Sequence, residues 1–99
     1  MNGRKKGSTI NQYKTSKWKR LRKAILARDG YMCQESKRYG RTVPADTVHH
    51  IVPAREDLSR FYDPSNLISL SNKEHNAMHD RLTDELTQKG WELRRRHNK

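Results

Sequence analysis

The first strong pattern along the chain is a set of apolar residues spaced as on one face of a helix. They fall at positions i, i+3, i+7 and i+8 and are Trp18, Leu21, Ile25 and Leu26. This spacing is typical of an amphipathic helix with one buried stripe. Ser16 is a candidate N-cap and Gly30 a candidate stop. The pattern predicts a helix from about residue 17 to residue 29, with basic side chains on its outer surface.

Two short runs with the character of β-strands follow. Residues 46–52 are rich in Thr, Val and Ile and end at Pro53, which predicts a strand. Residues 67–70, Leu-Ile-Ser-Leu, predict a second strand, and the Asp-Pro-Ser-Asn segment 63–66 before it has turn chemistry. Residues 30–44 are polar, with two glycines and a proline, and predict a loop.

A second helix is predicted after the second strand. Residues 71–74, Ser-Asn-Lys-Glu, fit a capping box, and Gly90 is a candidate stop. The helix is therefore expected to run to about Lys89. Its apolar stripe would be formed by Met78, Leu82 and Leu86, with His75 and His79 beside it.

The length of 99 residues is enough for one small domain with a thin core. Residues 1–15 are basic and almost free of apolar side chains, which predicts a flexible arm. Residues 16–90 form the expected domain, and residues 91–99 a basic tail. The three consecutive arginines of that tail are candidate phosphate contacts, although a solvated terminus is the simpler explanation for them.

Charge is distributed unevenly between the two parts of the chain. Residues 1–41 hold 13 basic and 2 acidic side chains, which is the whole net charge of +11, whereas residues 42–99 hold 9 of each. A basic half beside a neutral half favours an anionic partner bound by one part of the molecule. Nucleic acid is the usual partner of this kind, because clustered Lys and Arg release counterions from its phosphates.

Cysteine content and hydropathy indicate the cellular compartment. Cys33 is the single cysteine, so an intrachain disulfide is excluded. The sequence has no apolar run long enough to span a membrane, and its basic N-terminus lacks the apolar core of a signal peptide. We therefore expect a cytoplasmic protein that does not interact with membranes.

The histidines carry the candidate chemistry. His75 and His79 are spaced i, i+4, which on one helix places both imidazoles close enough to bind one metal ion. Two surface histidines would give the same spacing. His49 and His50 are adjacent in the first predicted strand, so their side chains should point to opposite faces. That arrangement favours one metal ligand and one free general base, the alternative being two hydrogen-bonded strand histidines.

These elements occur in a recognisable order: a strand with His-His-Ile-Val-Pro (49–53), a turn with Asp-Pro-x-Asn-Leu (63–67), a second strand, and a capped helix with His-x-x-x-His (75–79). In this order they resemble the HNH endonuclease family. The sequence is similar to the small bacteriophage members and, in its final histidine pair, to the nuclease domains of colicins. The resemblance covers residues 18–79 and includes Trp18 and the stretch from Ala27 to Gln34.

The resemblance implies an α+β fold, a ββα-metal (His-Me finger) core with the N-terminal basic helix packed on it. It also implies roles by position. His50 is the general base, Asn66 orders the loop between the strands, and His49, His75 and His79 are metal ligands. The expected contacts to the DNA backbone come from the first helix: Lys17, Lys19, Arg20, Arg22, Lys23 and Arg28. An arginine near the scissile phosphate would be Arg28, Arg55 or Arg60.

The sequence departs from many phage relatives at a structural zinc site. Such relatives carry two Cys-x-x-Cys pairs, but here the first pair is Cys33 with Ser36 and the second falls at Ser71 and Glu74. A four-cysteine zinc site is therefore excluded. Cys33 is expected to be a small core residue.

The predicted function is hydrolysis of DNA phosphodiester bonds with one divalent metal ion, with weak sequence preference and either nicking or double-strand cleavage. Zinc, nickel, cobalt and manganese suit imidazole ligands better than magnesium does. The alternative is a non-catalytic DNA-binding or packaging-accessory protein with a structural metal. The family further implies a role in phage DNA packaging in the host cytoplasm, with terminase or portal proteins as partners, for a monomer or a dimer.

Overall fold

The computed structural model describes residues 12–97. The expected flexible arm therefore lies outside the described residues, apart from its last four positions. The helices are α1 (Ser16–Arg28), α2 (Gln34–Arg38), α3 (Asn72–Asn76) and α4 (Gln88–His97), and the strands are β1 (Thr47–His50) and β2 (Leu67–Leu70). Two single 3₁₀ turns, Leu58–Arg60 and Pro64–Asn66, lie in the connection between the strands.

Helix α1 forms as its periodicity predicts and packs on the sheet. Its N-cap is Thr15, one residue before the expected Ser16, and the Thr15 hydroxyl accepts a hydrogen bond from the Trp18 backbone N–H at 3.1 Å. Trp18, Ile25 and Leu26 are buried in one cluster with Val48, Phe61 and Leu67. A second cluster on the other side of the sheet contains Cys33, Ile51, Ile68, Leu70, Met78 and Leu93.

The strands pair as an antiparallel hairpin with His49 opposite Ile68 and His50 opposite Leu67. β1 is shorter than the run 46–52 that the sequence predicts, because the chain turns away after His50. The expected loop 30–44 contains the short helix α2, whose N-cap Cys33 is fully buried. Cys33 is thus a core residue, as expected.

The predicted long helix after β2 is wrong. Ser71 caps α3 as expected, its hydroxyl accepting from the Glu74 N–H at 3.2 Å, but α3 ends at Asn76. The Asp80 carboxylate accepts hydrogen bonds from the N–H groups of Leu82 and Thr83, which holds a turn in place of helix. Leu82 is consequently 96% exposed and is not part of an apolar stripe.

Gly90 is not a helix stop either, because it lies inside α4. Helix α4 crosses the expected boundary between residues 90 and 91, and Leu93 within it is 1% exposed. Leu93, from the segment expected to be a basic tail, is therefore part of the core. None of the helices between residues 12 and 97 is both long and apolar enough to cross a bilayer.

Candidate active site

Three histidines from different parts of the chain meet at one end of the hairpin. His49 is in β1, His75 is in α3, and His79 follows α3 at an isolated bridge to Leu86. One ring nitrogen from each lies within 4.8 Å of the others. The ring centroids are 5.2 Å apart for His49 with either partner and 5.6 Å apart for His75 and His79. The pair 75/79 is thus brought together although the helix between them is interrupted.

The surroundings of His49 show what this cluster can hold. Its side chain is 1% exposed, and neither ring nitrogen has a hydrogen-bond partner among residues 12–97. Burial, and then the proximity of His75, His79 and His50, hold the pKa of His49 well below its usual value, so the ring is neutral. A buried, neutral imidazole without a partner is costly unless something accepts its lone pair. A divalent cation of the zinc, nickel, cobalt or manganese type fits such a donor set.

His50 is held in a different way, against the aromatic side of the core. Its Nε2 lies 3.0 Å from the Phe61 carbonyl oxygen, and its ring stacks on Trp18 with centroids 5.3 Å apart at 16°. Because a carbonyl only accepts, Nε2 carries the hydrogen and Nδ1 keeps its lone pair. Burial lowers the pKa of His50. The ring is therefore a neutral base with one defined basic nitrogen.

The strand geometry explains the division between the two neighbouring histidines. Alternation along β1 sends His49 toward α3 and His50 toward α1, as expected from the sequence. Both nevertheless line the same cavity of about 370 Å³, at the point where β1 ends. Sequence reasoning did not identify two further residues that line this cavity, Tyr13 and Asp84.

Asn66 lies at the end of the connection between the strands. Its side chain is 1% exposed and bridges to the segment after β1: Oδ1 accepts from the Val52 N–H at 2.8 Å, and Nδ2 donates to the Val52 carbonyl at 3.1 Å. Nδ2 also lies 3.4 Å from the Arg60 carbonyl. The amide thus ties the two ends of the connection between the strands, next to the Phe61 carbonyl that holds His50.

Tyr13 lies against the basic nitrogen of His50. Its hydroxyl is 3.5 Å from His50 Nδ1, and its ring packs edge-on against Trp18 and Phe61. Burial raises the pKa of the Tyr13 phenol, so it stays protonated. No spacing in the sequence links residue 13 to residue 50, because their contact is purely tertiary.

The basic residues of α1 divide into two groups. Lys19, Arg20 and Lys23 are exposed. Arg28 instead donates to the backbone carbonyls of Pro64 and Leu67 and pairs with Asp29, and Arg22 donates to the Asp46 carbonyl. The ammonium of Lys17 lies 4.2 Å from the centre of the Tyr62 ring. Arg28 therefore has a structural role within the fold.

Of the three arginines expected near a scissile phosphate, Arg55 lines the cavity. Arg60 lies 3.8 Å from Asp63 in a surface ion pair. Arg55 is thus the one of these three arginines that lies beside the three-histidine cluster.

Comparison with known proteins identifies the family to which a chain with this geometry belongs. No protein-family model matches the sequence, and no functionally curated protein matches it. Among solved structures, the HNH endonuclease of the deep-sea thermophilic bacteriophage GVE2, determined with a manganese ion, matches with a TM-score of 0.72 and 34% sequence identity. The match covers 75% of this chain and 80% of that one. The strand–strand–helix order around the histidines is the arrangement that the sequence predicted. This chain therefore belongs to the HNH endonuclease family, in its small bacteriophage type, and is an endonuclease.

Proposed function

We propose that this endonuclease hydrolyses DNA phosphodiester bonds with the help of one divalent cation. The observation that carries the proposal is the juxtaposition of two kinds of histidine in one cavity. Three imidazoles cluster around the buried His49, with unpartnered nitrogens on His49 and His79. A fourth, that of His50, is hydrogen-bonded so that a single basic nitrogen remains.

The cation would be held by His49, His75 and His79. Bound there, it would act as a Lewis acid toward a phosphate oxygen and stabilise charge that develops in the reaction. The similar phage GVE2 enzyme was determined with manganese, which is among the metals that imidazole ligands accept. Because burial holds the pKa of His49 well below its usual value, that ligand need not lose a proton before it binds the cation.

His50 would supply the base. Its Nδ1 accepts a proton from a water molecule while the water oxygen attacks phosphorus, and the bond from phosphorus to the 3′ oxygen breaks. The Phe61 carbonyl stabilises the imidazolium that results, because Nε2–H remains its donor at 3.0 Å. The leaving 3′ oxygen takes a proton from solvent, so the products carry a 5′-phosphate and a 3′-hydroxyl.

Asn66 and helix α1 would support this chemistry from two sides. Asn66 keeps the Phe61 carbonyl in place by fixing the connection at Val52. The exposed side chains of Lys19, Arg20 and Lys23 would hold the DNA backbone, and phosphate contacts of this kind position DNA without reading its sequence. We therefore expect weak sequence preference. Since residues 12–97 contain one such site, a single chain would nick.

A role in phage DNA packaging, with terminase or portal proteins as partners, remains a prediction of the family resemblance. So do the cytoplasmic location and the choice between monomer and dimer. Cleavage that requires added phage terminase would support the packaging role.

A supercoiled-plasmid assay across manganese, zinc, nickel, cobalt and magnesium tests the proposal. The parent should convert supercoiled to nicked plasmid, and His50→Ala should be about 10²–10⁴-fold slower, which is the usual contribution of a general base. His97→Ala is the matched control, since His97 is in α4 outside the cavity lining.

Two outcomes would contradict the proposal. If His50→Ala cleaves as fast as the parent, His50 is not the base. If the folded parent binds a divalent cation and DNA but cleaves with none of the five metals, the alternative of a DNA-binding protein with a structural metal is correct.

A further inference from the structure

One carboxylate lies beside the three-histidine cluster without a role so far. Asp84 lines the cavity, and its Oδ1 is 3.9 Å from Nδ1 of His79. That His79 nitrogen is buried and has no hydrogen-bond partner in the described part of the chain. This separation exceeds hydrogen-bond length by about 1 Å, so a hydrogen bond requires a small rotation of the His79 ring.

Arg55 holds Asp84 in this position through two separate atoms. Its Nη1 donates to Asp84 Oδ2 at 2.8 Å, and its Nη2 donates to the Asp84 backbone carbonyl, also at 2.8 Å. The guanidinium therefore contacts both the side chain and the backbone of Asp84, in an ion pair that is largely exposed to solvent. Because Oδ2 is occupied by Arg55, Oδ1 is the oxygen left to face His79.

The backbone of Asp84 is in the left-handed region, with φ of +64°. Non-glycine residues seldom adopt this conformation, although aspartate and asparagine do so more readily than most. The Asp84 N–H donates to the Asp80 carbonyl at 2.8 Å, which closes the turn around it. A backbone held in this way at a candidate site suggests that the orientation of its side chain matters.

We propose that Asp84 is a positioning residue for His79. When a cation is bound, its Oδ1 accepts a hydrogen bond from Nδ1–H of His79, which fixes the tautomer and leaves Nε2 as the ligand atom. Histidines that bind metals generally donate their other ring N–H to an acceptor such as a carboxylate. This inference rests on the proposed function, in which His79 is a ligand, and it adds the Arg55–Asp84 pair as the support of that ligand.

Titration calorimetry of the full chain with MnCl₂ and ZnCl₂ tests the inference without reference to cleavage. Loss of such a carboxylate typically weakens metal binding about 10–100-fold, and we expect this for Asp84→Gly. Asp84→Asn should weaken binding less, because its amide oxygen still accepts from His79. Both residues tolerate a positive φ, so neither change strains the turn. Glu85→Gln is the matched control, since it removes one charge from the same exposed loop.

A double-mutant cycle separates positioning from other roles of Asp84. In a His79→Ala background, Asp84→Gly should leave the dissociation constant unchanged within about twofold, because the residue it acts through is gone. An equal loss of affinity in both backgrounds would show that Asp84 acts directly on the cation, and unchanged affinity in Asp84→Gly would show that it has no role. Either result overturns the inference while the proposed function stands. If the parent binds neither metal, or His49→Ala binds as tightly as the parent, both proposals fail.

Discussion

Substitution of Asn66 by aspartate tests how the connection between the strands is held, with almost no change in side-chain shape. In the parent, Nδ2 donates to the Val52 carbonyl at 3.1 Å and lies 3.4 Å from the Arg60 carbonyl. In Asn66→Asp, an ionised carboxylate oxygen would face both carbonyl oxygens in a site that is 1% exposed. Only the bond from the Val52 N–H to Oδ1 would remain.

The loss of stability in Asn66→Asp depends on pH, and this dependence identifies the buried carboxylate as its cause. An uncompensated buried charge costs about 3–5 kcal/mol, so we expect a loss of this size in the free energy of unfolding at pH 7. The folded state should raise the pKa of the new carboxyl above its unfolded value of about 3.9. Below that value the protonated acid can donate to the Val52 carbonyl, and the penalty is small. As pH rises toward the folded pKa, the penalty grows by about 1.4 kcal/mol per unit.

Urea unfolding of parent and Asn66→Asp between pH 4.5 and pH 7, followed by circular dichroism, measures this difference. Asn72→Asp is the control, because Asn72 is exposed at the start of α3, where a carboxylate is tolerated. A stability difference between parent and Asn66→Asp that stays constant with pH would refute the reasoning. Cleavage by Asn66→Asp should fall as well, because the Phe61 carbonyl that holds His50 belongs to the same connection.

Two further changes test contacts around the site. Gly90→Ala should destabilise the fold by about 1–2 kcal/mol in thermal or urea unfolding, although alanine favours helix, because the added Cβ would lie 2.5 Å from the Met78 carbonyl oxygen; a gain in stability would show that this close approach is relaxed in solution. Asp29→Asn should lose about 1–2 kcal/mol at pH 7, since the carboxylate accepts from Arg28 and from the Ser69 N–H at 3.0 Å. These bonds lower the pKa of Asp29 below its ordinary 3.8, so its contribution is complete above that pH and disappears as pH falls through the lower folded pKa. A gap between parent and Asp29→Asn that persists at pH 2 would contradict this assignment.

The elements that the sequence predicted well are those that local patterns determine. The stripe of α1, the two strands and the Ser71 cap all follow from spacing and caps within a few residues. The prediction of a long second helix was wrong, because the i, i+4 spacing of Met78, Leu82 and Leu86 does not by itself distinguish a helix from a turn. The Asp80 side chain and the bond from the Thr87 N–H to the Met78 carbonyl stabilise that turn instead.

Local patterns likewise identified some residues of the candidate site and missed others. The histidines were identifiable from their order along the chain, and the structure brings His75 and His79 to His49 by a turn where a helix was expected. Tyr13 and Asp84 were missed because each meets its partner across more than one element, Tyr13 at His50 and Asp84 at Arg55. No local spacing encodes such contacts.

The bonds at the end of α1 have a consequence for how a bound duplex would be cut. Arg28 donates to the Leu67 carbonyl and Asp29 accepts from the Ser69 N–H, so the basic helix is joined to β2, the strand that pairs with His49 and His50 of β1. The basic surface of α1 and the cavity lined by the histidines are thus connected directly through these two hydrogen bonds. We therefore expect the fold to set the distance along a bound duplex between the backbone contacts of α1 and the cleaved bond. Differences in cleavage between DNA sites would then reflect how readily each sequence bends to reach the cavity.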